Sequence, residues 1–306
     1  MSDPTLPSWL HLSPSVQAAI EDRRPIVALE SAVITHGLPR PMNLDLATQM
    51  QKKIRSANAE PATIAVIRGK ICLGLRTAQL EDLALEAEAI KISTRDLGLA
   101  AARGLTGGTT VAATCYIAQR AGLKVFATGG IGGVHRGASG DVSADLNELA
   151  RAPIAVVCSG AKTILDIPKT LEWLETVGVP TLGWQTDEFP AFISPSSGLP
   201  IDVRVDSVEE VVNVLHAHWA LGLGAILVCV PCPPKAAIPL AETEELIEIA
   251  LSEARAEKIT GRNLTPYLLT RLAENSDGAT LRANQALLLN NAHIAAQISV
   301  HGMMKH

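Results

Sequence analysis

Val125-Phe126-Ala127-Thr128-Gly129-Gly130-Ile131-Gly132-Gly133-Val134-His135-Arg136-Gly137 starts as a short apolar run and breaks into glycines. The run is long enough for a buried strand, and the glycines mark its end. On its N-terminal side, Thr109 to Ala121 reads as a helix entered from a Gly107-Gly108 turn. On its C-terminal side come a strand at Ile154–Cys158, a helix at Ile164–Thr176 and a strand at Pro180–Trp184. Strands alternating with helices require crossover connections, hence a mostly parallel sheet covered on both faces.

The rhythm extends outward in both directions. Ser13-Pro14 is an N-cap followed by Pro at the first helical position, and Pro25 closes that helix. Strands follow at Ile26–Leu29, Ala62–Ile67, Ile71–Leu75 and Ala89–Ser93, with helices through Leu46, Met50 and Ile54 and over Leu80–Ala87. Later come a helix at Val208–Leu221, a strand at Ala225–Val230, and helices at Glu242–Glu257, Pro266–Glu274 and Leu281–Val300. The reading is a three-layer α/β/α fold with a mostly parallel central sheet. No repeat or linker interrupts residues 1–306, which predicts a single domain.

Composition agrees. Hydrophobic residues make up 47% of the chain but aromatics only 3%, so Ala, Val, Ile and Leu must build the core. That suits buried parallel strands under Ala-rich helices. It disfavours a base-stacking surface, and a net charge of −5 without basic runs gives no nucleic-acid footprint. No apolar run is long enough to span a membrane. Met1–Pro25 lacks a signal-peptide pattern. Four of the five cysteines lie in apolar runs, the pattern of reduced thiols in a cytoplasmic protein.

Ligands of open parallel sheets bind beyond the carboxyl ends of strands. Three apolar runs end in reactive groups: Ile26–Leu29 at Glu30, Val125–Thr128 at the glycine loop, and Ile154–Cys158 at Ser159-Gly160-Ala161-Lys162. Their placement predicts one shared site. The glycines can bring backbone N–H groups onto an anion, or can simply make a tight turn. They match neither a dinucleotide fingerprint, since His135 takes the last glycine position, nor a P-loop, since Ala138 stands where the lysine belongs. Lys162, behind three small residues, is placed for partial desolvation and attack on a carbonyl, or is a solvated lysine opening the next helix. Glu30 among apolar neighbours is a candidate acid, or one half of an ion pair. Asp141 and Asp145 would share a face on a helix and suit a hard cation, or would favour a helix N-terminus. Cys229-Val230-Pro231-Cys232 has dithiol spacing, but Pro233-Pro234 follows at once and no second Cys or His pair completes a zinc site. His216 and His218 point in different directions on a helix.

Taken together, these segments resemble the pseudouridine-5'-phosphate glycosidase family, also called the indigoidine synthase A-like family. The resemblance rests on Ala28-Leu29-Glu30-Ser31 with His36-Gly37, on Pro61 to Ala65, and on Lys91 with Arg95-Asp96. It continues through Thr109-Thr110-Val111-Ala112, the Val125–Gly137 run, Asp141 to Leu146, Ser159 to Asp166, Asp187 to Phe192, Thr265 to Leu269, and Asn290-Asn291-Ala292. It implies cleavage of the C–C glycosidic bond of pseudouridine 5'-phosphate to uracil and ribose 5-phosphate. Lys162 would form a Schiff base with C1' of the opened sugar, and Glu30 would donate the proton. Asp141 would ligate one Mn²⁺ per subunit, largely through waters. Lys91, Val111, His135, Ser143, Ala144, Asp145 and Asn284 would bind substrate, with Lys91 and Asn284 facing the phosphate. The implied assembly is a homotrimer. The chain departs from the family pattern at Cys229–Pro234 and in a shorter loop between Arg136 and Asp141. A related sugar-phosphate lyase or hydrolase, a pigment-pathway role, and a non-enzymatic binding protein are the alternative readings.

Overall fold

The computed structural model describes residues 6–137, 140–259 and 264–304. Its strands are β1 (Leu10–Leu12), β2 (Ile26–Leu29), β3 (Glu60–Ile67), β4 (Lys70–Leu73), β5 (Ile90–Ile92), β6 (Gly107–Thr109), β7 (Val125–Ala127), β8 (Val134–His135), β9 (Ala155–Cys158), β10 (Leu165–Asp166), β11 (Thr181–Trp184), β12 (Val203–Val205) and β13 (Ile226–Cys229). Its α-helices are α1 (Pro14–Glu21), α2 (Met42–Ser56), α3 (Thr77–Leu85), α4 (Leu97–Ala102), α5 (Val111–Arg120), α6 (Ala144–Leu149), α7 (Ile167–Thr176), α8 (Val208–Ala220), α9 (Leu240–Ala256), α10 (Leu264–Asn275) and α11 (Ala279–Met304).

Eleven strands form one sheet in the order β1-β4-β3-β2-β7-β9-β13-β11-β12, with β6 on β3 and β5 on β6. From β3 to β12 every neighbouring pair is parallel. β3 runs antiparallel to β4 and β6, so the regularity breaks on that flank.

Side-chain alternation sorts the core into two layers. Val27, Leu29, Val125, Ala127, Ala155, Val157, Ile226 and Val228 pack with residues of α2, α8 and α11. Ile26, Ala28, Phe126, Ile154, Val156, Cys158, Leu227 and Cys229 face the opposite way, against residues of α1, α5, α7, α9 and α10. Both faces are therefore covered, as the continuous apolar runs require. Helix α11 lies across β2, β7 and β9, and its Ala283, Ala292, Ala295 and Ala296 are fully buried. Methyl side chains let that backbone approach the sheet closely, which fits the scarcity of aromatics.

Several local expectations need correction. Gly107-Gly108 is not a turn but strand β6, where a Cβ on Gly107 would fall 2.2 Å from the Ile90 carbonyl oxygen. The helix expected from Ile164 begins at Ile167, because Leu165 and Asp166 pair with His135 and Val134 in a separate antiparallel ladder. Asp141 lies outside any helix; α6 starts at Ala144 with Ser143 as its N-cap. Asp141 and Asp145 therefore do not share a helical face. β1 and β12, α4, and a π-helical turn at Val33–Gly37 were not expected.

Candidate active site

A cleft of about 520 Å³ opens beyond the carboxyl ends of β2, β7 and β9, three adjacent strands. Its walls include all the site residues expected from sequence: Glu30, Lys91, Val111, His135, Asp141, Ser143, Ala144, Asp145, Lys162 and Asn284.

Register explains the first pair. Leu29 is paired with Ala127, so the next residues, Glu30 and Thr128, stand side by side. Thr128 Oγ1 donates a hydrogen bond to Glu30 Oε1. Glu30 is 8% exposed. Burial raises its pKa above the ordinary carboxylate value, because the charged form loses hydration. The Lys162 ammonium, the Thr128 hydrogen bond and Lys91 work against that rise, and Asp145 adds to it. Burial is the largest of these effects, and the net shift is upward.

Lys162 reaches the same cleft from β9. Gly160 makes the turn at φ +76°, and a Cβ there would sit 2.1 Å from the Pro190 carbonyl oxygen, so only glycine fits. Ile131 N–H donates to the Gly160 carbonyl, and Lys162 N–H donates to the Ile131 carbonyl. Leu165 and Asp166 then bind the His135 arm. Lys162 is thus held between two strand ends rather than opening a helix, and its side chain is half-buried.

Much of the glycine loop's backbone is closed to an anion by hydrogen bonds within the protein. The N–H groups of Ile131, Gly132, Val134 and His135 are committed to the Gly160 carbonyl, the Asp145 carboxylate, the Thr170 hydroxyl and the Asp141 carbonyl. The glycines serve close packing instead. A Cβ on Gly132 would fall 2.3 Å from Ser143 Oγ, and one on Gly133 2.3 Å from Thr170 Oγ1.

Asp145 has a structural duty that its spacing did not reveal. It is 5% exposed, and its two oxygens accept N–H groups from Ala112 and Gly132, each at 2.8 Å. It thereby ties the start of α5 to the glycine loop. Its neighbours Ser143 and Ala144 form the adjoining wall, and Val111 lies buried in the cleft floor.

Further polar groups line the cleft. Lys91 opens into it, and the crowding walls, with Lys162 next, lower the Lys91 pKa; Asp145 and Glu30 oppose that. His36, from the π-helical turn, also lines the cleft and shares a 2.7 Å hydrogen bond at Nδ1 with Thr35 Oγ1. Burial, then Lys91, lowers its pKa, so it is neutral at neutral pH. Asn284 on α11 is half-buried on the same cleft. Sequence reasoning assigned no role to His36, Thr110, Phe192 or Thr128, although all four lie inside motifs already singled out.

For a metal, Asp141 offers one exposed carboxylate at the rim. Among the described residues no group of three or more Cys, His, Asp or Glu side chains could hold an ion. One carboxylate cannot make a closed protein cage, so an ion bound there would be held mostly by water. Ala138 and Ser139, between Arg136 and Asp141, lie outside the described residues. The cysteine pair is no site: Cys229 packs on one face of the sheet and Cys232 on the other. Both are buried free thiols, and burial pushes Cys232 up to about 12. No residue from 229 to 234 lines the cleft.

The family profile described as indigoidine synthase A like protein matches residues 15–301. The chain belongs to this family. A pseudouridine-5'-phosphate glycosidase of Paracoccus denitrificans is 50% identical over 299 residues, covering 96% of this chain and 98% of the relative. One from Caldanaerobacter subterraneus subsp. tengcongensis is 49% identical over 295 residues, covering 95% and 96%. The crystal structure of an indigoidine synthase A-like protein from Thermotoga maritima matches with a TM-score of 0.88 at 36% identity, over 96% of each chain. The prealnumycin C-glycosynthase AlnA, in complex with ribulose 5-phosphate, matches with a TM-score of 0.90 at 38% identity, over 98% of each chain.

Proposed function

We propose that this family member is an enzyme that cleaves the C–C glycosidic bond of pseudouridine 5'-phosphate, giving uracil and ribose 5-phosphate. The observation that carries the reading is the convergence of Glu30 and Lys162 on one cleft from strands flanking β7, with Lys91 beside them. The glycosidase names of close relatives and a sugar-phosphate ligand in a structural neighbour support it.

The chemistry follows from the bond. A C–C glycoside has no leaving oxygen to protonate, so paired carboxylates alone give little help. In the proposed route the C1'–O4' bond breaks with its electron pair going to O4', the Lys162 amine adds at C1', and the proton shed by the nitrogen ends on O4'. The C1'–C5 bond then breaks. Its electron pair goes to uracil C5, which takes a proton from Glu30, while the nitrogen lone pair closes the iminium. Water hydrolyses the iminium and returns Lys162 and ribose 5-phosphate. Lys91 and Asn284 hold the phosphate; Val111, His135, Ser143, Ala144 and Asp145 line the remaining substrate surface. Asp141 would hold Mn²⁺ through water, and the ion would supply positive charge for an anionic substrate.

The test is incubation with pseudouridine 5'-phosphate and Mn²⁺, followed by chromatography for free uracil. Absence of uracil from folded protein overturns the reading. Full turnover after chelation overturns the metal assignment. Light scattering checks the homotrimer that accompanies it. The C-glycosynthase neighbour favours a second reading, bond formation to a ring other than uracil. Ribose 5-phosphate supplied with uracil and with other carbon nucleophiles separates the two.

A further inference from the structure

The polar groups behind Glu30 form a chain that the reaction above does not use. Thr128 is fully buried, and its hydroxyl is given to Glu30 Oε1. Its backbone is held in turn: its N–H donates to the Val157 carbonyl, and its carbonyl accepts Asn291 Nδ2 at 2.9 Å. Asn291, fully buried on α11, also places Nδ2 3.1 Å from Ser159 Oγ and 3.5 Å from the Gly129 carbonyl. One amide therefore clamps the ends of β7 and β9, the strands that deliver Thr128 and Lys162.

A buried polar network of this kind is costly unless it is satisfied, and this one ends on the carboxyl group at the cleft. Glu30 has two oxygens, and Thr128 occupies only Oε1. We propose that Thr128 is a positioning residue for the proton donor: it holds Oε1 so that Oε2 presents the proton to the cleft, with Asn291 fixing the backbone that carries Thr128. This rests on the reading of Glu30 as the acid. A threonine on the neighbouring strand suits the task because its β-branched side chain has few rotamers, and the parallel register sets its hydroxyl beside the carboxyl group.

The charged and titratable groups facing Glu30 are Lys162 after β9, Lys91 on β5, Asp145 on α6 and Cys115 on α5. Thr128→Val leaves them all in place and removes only the hydroxyl. A hydroxyl donating to a carboxylate favours the charged form, so its loss should keep Glu30 protonated to higher pH. Uracil release should then fall off at a pH about half a unit to one unit higher than in the parent enzyme. Its maximum rate should drop roughly 10-fold or more, through lost orientation. Thr128→Ser should restore both. Should Thr128→Val fail to fold, Thr128→Ala serves the same comparison, with circular dichroism as the check.

The control is the Glu30→Gln background. There, Thr128→Val should change the residual rate less than about 2-fold. An equal loss in both backgrounds, or an unmoved alkaline limb, makes Thr128 structural and overturns the proposal while leaving Glu30 as the acid. Near-parental turnover by Glu30→Gln itself overturns the acid assignment, and the proposal falls with it.

Discussion

Asp145→Ala tests whether that residue serves the substrate alone or braces the empty protein. The side chain is 5% exposed and accepts two backbone N–H groups at 2.8 Å, one from Ala112 in the first turn of α5 and one from Gly132. Truncation leaves both donors without their partner, the Ala112 N–H buried and the Gly132 N–H partly so. Each such group costs roughly 1–3 kcal/mol, so the sum is about 2–6 kcal/mol. A domain of about 200 residues loses roughly 2–4 °C per kcal/mol, and a larger chain somewhat less. The melting temperature of the ligand-free variant should therefore fall by roughly 3–10 °C. Asp145→Asn should fall less than Asp145→Ala, because one amide oxygen can still accept one N–H while its NH₂ confronts the other. The assay is calorimetry without substrate, so lost ligand contacts cannot contribute. A melting temperature within about 1 °C of the parent would refute the brace and leave Asp145 a substrate residue only.

Borohydride added during turnover should inactivate the enzyme by reducing the iminium. The labelled peptide should contain Lys162 with the mass of a reduced pentose phosphate; label on another lysine defeats the assignment. Lys162→Arg should be as inactive as Lys162→Ala, since guanidinium stays charged and cannot add at C1'. Lys91→Ala should raise KM for pseudouridine 5'-phosphate by roughly 10–100-fold, the worth of a charge-assisted contact, while unphosphorylated pseudouridine is little affected. Equal losses on both substrates would show that Lys91 does not read the phosphate. Cys232, with its thiol pushed up to about 12, should resist alkylation at pH 8 in the folded protein and react on unfolding. The double change Cys229→Ser with Cys232→Ser should keep turnover within about 10-fold; a loss beyond about 100-fold in folded protein would revive a dithiol role.

Much of the architecture was legible because its signals are local. Continuous apolar runs such as Ile154–Cys158 mark strands buried on both faces, and the helices between them dictate parallel crossovers. The ends of those runs placed Glu30 and Lys162 near one another before any coordinate was known. Several of the elements that escaped are made by pairing rather than by pattern. Leu165-Asp166 and Val134-His135 are two residues long and exist because they bind each other. Gly107-Gly108 carries every local mark of a turn, yet neighbours on both sides hold it as a strand.

The sequence by itself determined the fold class, the reactive residue types and their positions at strand ends, since periodicity and motif order are properties of the chain. Only the tertiary structure decided which groups are partners. The register of β2 on β7 set Thr128 against Glu30, and residues 163 positions apart brought Asn291 to the Thr128 carbonyl. It also turned Asp145 from a supposed metal-type neighbour of Asp141 into a brace, and sent Cys229 and Cys232 to opposite faces of the sheet. Hydrogen bonds and burial depend on distances across the fold, and no spacing along a single chain encodes them.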